Sequence, residues 1–249
     1  MKKVLSILFI AMFLLLKVAN AQEEVLNNIQ SKIELAVYKD NDIERVQSIV
    51  DSLTYLQQKS NNSLLSYWKA FASYNLAILY MQEKQDDNAK EAIEKGITTI
   101  DEIKRKTSDD YALLSILQGL DLTYMNFLEV PFNAKKAQGS SEESVKLDPN
   151  NLRAQLAEAI NDFYTPKMFG GGKKVERILK KAIELKDTYD VNPYAPTWGK
   201  DLAYSYLIRF YEKKNDWERA QKYYDRSVEE LGIKPIIEKF KPSKVKESK

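Results

Sequence analysis

The stretch DLAYSYLIRFYEKKNDWERAQKYYDRSVEELG, residues 201–232, decides how the chain is read. Tyr204, Leu207, Ile208 and Tyr211 recur at helical spacing and give a first helix one apolar face. Lys213-Lys214-Asn215-Asp216 interrupts that pattern with polar residues. Asn215 or Asp216 can cap a second helix there, because a short side-chain oxygen satisfies first-turn amides that have no partner within the helix. Trp217, Ala220, Tyr223, Tyr224 and Val228 form the second apolar face, and Gly232 with Pro235 ends it. Two amphipathic helices joined by so tight a turn cannot bury both faces alone, so the unit demands neighbours stacked on it.

The spacing resembles the tetratricopeptide repeat. With Asp201 as position one, Tyr211, Ala220 and Tyr224 fall at the family's marked aromatic and small positions. Framed from Ala70, the residues Ala77, Tyr80, Ala89, Ile93 and Gly96 fall at marked positions as well. Upstream of Pro149, Ala137 is the small residue of a third pair, and Leu147-Asp148-Pro149-Asn150-Asn151 resembles the family's turn between repeats. The resemblance runs from about residue 64 to 232 and implies an α-solenoid whose first helices line a concave groove.

Outward from residues 201–232, the periodicity predicts helices over 24–38 and 42–58, 64–82 and 87–103, 109–129 and 134–147, and 151–164 and 173–189. Val130-Pro131-Phe132-Asn133 reads as a break after the fifth of these. With only 8 Gly, 7 Pro and no alternating strand segment, the predicted fold is all-α, about five antiparallel helix pairs stacked as a right-handed superhelix over residues 22–232. Two insertions, 165–172 and 190–199, exceed the family's turns. Residues 233–249 read as a Lys-rich disordered tail.

Lys2 and Lys3, the apolar run from Val4 to Leu16 and the small-x-small triplet Ala19-Asn20-Ala21 read as a Sec-type signal peptide over residues 1–21. The run falls short of the roughly 20 residues of a bilayer span. No stable membrane span is therefore expected after cleavage, and with no cysteine to carry a lipid the protein is not a lipoprotein. Removing the signal takes three lysines and no acid. The 38 Lys and Arg become 35 against 36 Asp and Glu, a net charge of −1, so no nucleic-acid footprint remains. A secreted chain is expected, and resemblance favours the Gram-negative periplasm.

The absence of histidine and cysteine removes Ser-His-Asp and Cys-His nucleophiles and the common zinc sites. Adjacent acids such as Asp109-Asp110 and Glu142-Glu143 point in different directions on a helix and form no shared carboxylate site. No enzyme, cofactor or metal is expected. Asp187, Asp190 and Asn192 lack the spacing of a calcium loop. Gly170-Gly171-Gly172-Lys173 fails the phosphate-loop spacing but could still offer amides to an anion. Its loop, Pro166-Lys167-Met168-Phe169-Gly170-Gly171, resembles loops of bacterial secreted tetratricopeptide proteins. That implies a structural turn with Met168 and Phe169 tucked beneath it.

Candidate partner-binding residues are the groove positions Tyr74, Met81, Asn126, Glu129, Glu158, Asn161, Asp162 and Arg209. Acids and amides predominate in this set, so the groove is expected to take a basic or polar extended segment of a protein or peptide. Trp198, between Pro196 and Gly199, either anchors a partner or is buried by the insertion folding back. The alternative function is a periplasmic small-molecule binder acting beside a transporter, with the two insertions closing a pocket.

Overall fold

The computed structural model describes residues 20–186 and 192–243. Its helices are α1 (Ile29–Glu34), α2 (Ile43–Gln57), α3 (Ser63–Gln82), α4 (Asp86–Asp101), α5 (Ser108–Asp121), α6 (Val130–Leu147), α7 (Leu152–Tyr164), α8 (Val175–Glu184), α9 (Lys200–Glu212), α10 (Trp217–Leu231) and α11 (Pro235–Lys239). A π-helical turn, Leu35–Asp40, continues α1. No strand occurs among the described residues. The fold is all-α, a tetratricopeptide-like array of antiparallel pairs: α3 with α4, α5 with α6, α7 with α8 and α9 with α10.

Short polar side chains start five of these eleven helices. Asp42 accepts from the Arg45 amide, Asn62 from Leu64, Asn151 from Arg153 and Ala154, and Asp216 from Arg219. Thr107 and Asp110 cap α5 reciprocally, each side chain accepting the other's backbone amide. Where partners cross, the marked residues are small and sealed. Ala89, Ala137 and Ala220 are buried, and a Cβ on Gly96 would lie 3.0 Å from Leu117 of the next pair. Tyr211 of α9 stacks on Tyr223 of α10 with ring centroids 5.5 Å apart.

Three expectations are corrected. The helix predicted over 109–129 ends at Asp121, followed by a 3₁₀ turn at Leu122–Tyr124 and an irregular turn held by Asn126. Pro131 does not break a helix but sits in the first turn of α6, where its missing amide hydrogen costs nothing. The tail is not all disordered: α11 packs on α9, with Ile236 and Ile237 buried and Tyr224 donating to Glu238. The end of the helix predicted over 173–189, with Asp187, and the start of the 190–199 insertion, with Asp190, lie outside the described residues.

The pairs are joined by one buried charge. Arg153, 2% exposed, pairs through Nε with Asp109 of α5 at 2.5 Å, and Asn151 donates to the same oxygen at 2.7 Å. Removing one member of such a pair strands the other. Arg153→Ala is therefore expected to lower the unfolding free energy by about 3 kcal/mol in urea titration, the lower end because Asp109 is partly solvated. Arg45→Ala, which breaks the exposed pair with Asp40, should cost less than about 1 kcal/mol.

Candidate functional site

The inner face carried by the first helices is not an empty groove. Residues 192–199 lie across it. Trp198 stacks on Phe71 of α3 at 5.0 Å, and its Nε1 donates to the Tyr67 hydroxyl at 2.8 Å. Trp68 Nε1 donates to the Tyr194 carbonyl, Arg153 Nη1 to the Trp198 carbonyl, and the Thr197 amide to Gln30 of α1. Gly199 makes the approach possible: its φ is +117°, and a Cβ there would sit 2.8 Å from Leu152. Trp198 is 6% exposed. The anchor reading of Trp198 is thus corrected, since the insertion folds back and buries it.

Other predicted residues serve the fold. Asn161 donates to Ser115, Ser141 and the Ala137 carbonyl, bridging α5, α6 and α7. The Asp162 carboxylate accepts from the Lys174 and Val175 amides at 2.7 and 3.0 Å, and its carbonyl accepts from Gly172. The anion that the glycine turn receives is therefore the chain's own. Gly171 is required there, because a Cβ would fall 2.0 Å from the Thr165 carbonyl oxygen. Asn126 and Glu129 hold the turn between α5 and α6 through mutual side-chain and backbone bonds. Met81 and Glu158 are half-buried on α3 and α7.

Tyr74 and Arg209 belong to one cluster. The Arg209 guanidinium lies 5.2 Å from the Phe163 ring, 4.9 Å from Tyr206 and 5.2 Å from Phe240, and Nη2 donates to the Tyr164 hydroxyl at 3.2 Å. Tyr164 and Tyr206 meet edge to face at 6.2 Å. Burial pushes the Tyr206 hydroxyl well up, and neighbouring Tyr74 and Tyr164 reinforce the shift. Tyr74 is raised by burial, then by Tyr38 and Tyr164. Burial opposes charge on Arg209, yet its hydrogen bonds and the tyrosine oxygens outweigh that and raise its pKa. Arg209 stays charged, half-exposed, and within ion-pair distance of no carboxylate among the described residues.

Sequence reasoning passed over Phe163, Tyr164 and Phe240. Tyr206 and Arg209 are three apart on α9, a legible signal. Phe240 lay in the presumed tail. The remaining correction concerns Met168 and Phe169, which are not tucked away but 83% and 73% exposed. The turn between α5 and α6 likewise presents Phe127 and Leu128, 87% and 83% exposed.

No family model matches the chain, and no curated protein does. Solved structures do. A thermophilic tetratricopeptide repeat protein of Thermus thermophilus superposes with a TM-score of 0.55 at 15% identity, over 85% of this chain and 96% of that one. HusA, a haemophore from Porphyromonas gingivalis, superposes with 0.59 at 19% identity, over 78% and 93%. The class is therefore set by architecture: a tetratricopeptide-like helical repeat.

Asp162→Ala should open the 165–174 turn. The expected outcome is faster tryptic cleavage after Lys167 or Lys173, with about 1 kcal/mol lost in thermal unfolding, the worth of one helix cap.

Proposed function

We propose that this protein is a non-catalytic binding scaffold. It captures an extended segment of a protein or peptide at the end of the inner face that the insertion leaves open. One observation carries this reading. A half-exposed guanidinium stands among four aromatic rings, with no carboxylate of the described residues to neutralise it. Such a cage suits a segment bearing a carboxylate and an apolar or aromatic side chain. The guanidinium then pairs with the acid while the rings exclude water. The expectation of a basic segment gives way, because Asn161 and Asp162 are already spent on the fold.

A small-molecule ligand is the second reading. The same cage offers ring faces and a counter-charge to a planar aromatic carboxylate, and a protein of similar fold is a haemophore. Packing of Phe71 and Tyr67 against Trp198 argues against an enclosed pocket at the insertion. A cavity of about 50 Å³ beside Ser73, Leu76 and Tyr80 has room for a few waters only. Export through residues 1–21 to the periplasm, with cleavage before Gln22, belongs to the same proposal. It rests on the Lys2-Lys3 start, the short apolar run and Ala19-Asn20-Ala21.

The test is a peptide array probed with the chain from Gln22 onward, with matched free-acid and amidated C-termini. Free-acid peptides ending in aromatic or apolar residues should be retained. Arg209→Gln should weaken them at least about ten-fold, roughly one charge-assisted hydrogen bond. Indifference to both the carboxylate and Arg209 would overturn the reading. Haemin that titrates to saturation in the wild type but not in Arg209→Gln, with no peptide of the array retained, would favour the second reading. The mass of the exported protein should begin at Gln22.

A further inference from the structure

Two of the turns joining first to second helices carry apolar side chains that no other part of the described chain covers. Phe127 and Leu128 form one tip, with Phe132 65% exposed just behind it; Met168 and Phe169 form the other. The turns are neighbours. Helices α5 and α7 pack side by side and run the same way, with Asp109 beside Asn151 at their starts and Ser115 beside Asn161 further along. Both therefore end, and launch their turns, at the same end of the array.

Lysines flank the tips. Lys135 and Lys136 follow the first, and Lys167, Lys173 and Lys174 frame the second. All five are exposed, and none makes an ion pair among the described residues. Over residues 125–136 the only acid is Glu129, and over 165–175 there is none. Lys136 lies over the Phe132 ring at 4.5 Å, so its charge sits beside apolar surface.

The chemistry of the surface this end meets follows from that composition. Exposed Phe, Leu and Met on separate projecting tips are costly in water and leave water by entering a hydrocarbon boundary. Unpaired lysines are depleted from the cores of protein interfaces, whereas near an anionic lipid surface each adds attraction. Among the described residues no helix is long and apolar enough to cross a membrane, so the contact is peripheral. We propose that the end of the array formed by the 122–129 and 165–174 turns docks reversibly on an anionic phospholipid surface. Phe127, Leu128, Met168 and Phe169 enter the headgroup boundary, and the flanking lysines face the phosphates. This goes beyond the binding of a partner segment and does not depend on it.

The core begins at Leu26, so the chain from Gln22 onward retains every buried apolar residue described and is the protein to test. It should co-sediment with vesicles of phosphatidylcholine and phosphatidylglycerol in equal parts, and at least about ten-fold less with phosphatidylcholine alone, since the lysines see charge only in the first. The double variant Leu128→Ser, Phe169→Ser should lose at least about ten-fold with circular dichroism unchanged. Changing all five lysines to Gln should remove the lipid preference and the salt dependence. The chain lacks cysteine, so Met168→Cys and Tyr55→Cys can each carry one environment-sensitive fluorophore. The probe at residue 168 should shift to the blue on anionic vesicles, and that at 55, exposed on α2 away from these turns, should not. Equal sedimentation with both vesicle types, a double variant that binds undiminished, or a silent probe at 168 would overturn the proposal. So would a protein that binds through the tips while vesicles do not.

Discussion

Arg153 is the interaction on which the rest depends. An arginine cannot shed its charge at any working pH, so placing it at 2% exposure forces the surroundings to supply acceptors. They include Asp109 on α5 and the Trp198 carbonyl in the insertion, and the α7 cap Asn151 donates to the same Asp109 oxygen. Stacked repeats touch only their neighbours through apolar faces, which slide more easily than directional bonds. The buried pair sets the register between the second and third such pairs counted from α3. It also fixes where the insertion must lie.

The filled inner face follows. With its carbonyl held by Arg153, Trp198 reaches Phe71 and Tyr67, and Gln30 of the first hairpin meets Thr197. The terminal segments close in as well, α11 touching the π-helical turn before α2. The inner face that such an array would otherwise present as a groove is crossed by residues 192–199. Arg209 and its rings stand at one end of the array, and both apolar tips project from the same end, where every turn from a first helix to its partner emerges. Residues 192–199 fill part of the inner face that the first helices carry.

Much of this was legible from residues. The tetratricopeptide-like pairing rests on Tyr211, Ala220 and Tyr224, and on Ala89 with Gly96, all of which sit where the crossings need them. The helix start at Asp216 was readable because a cap acts over three residues. The misreadings came where local pattern competed with distant contact. Pro131 looks like a stop yet fits a first turn. Phe240 looks like tail yet stacks on Arg209 across some thirty residues of chain. Asn161 and Asp162 look like groove ligands, but their partners lie on other elements.

What the sequence by itself determined is the kind of object: helical periodicity, small residues at crossings and capped turns are encoded within a few residues of each other, so they survive without knowledge of the whole. It also determined the chemistry ruled out by having neither histidine nor cysteine. What only the tertiary structure decided is which candidates are free. Whether Asp162 awaits a ligand or holds its own turn, and whether Trp198 or Met168 is the residue that meets solvent, depends on segments brought together from far along the chain. Burial and hydrogen bonding are properties of that assembly, and no local spacing records them.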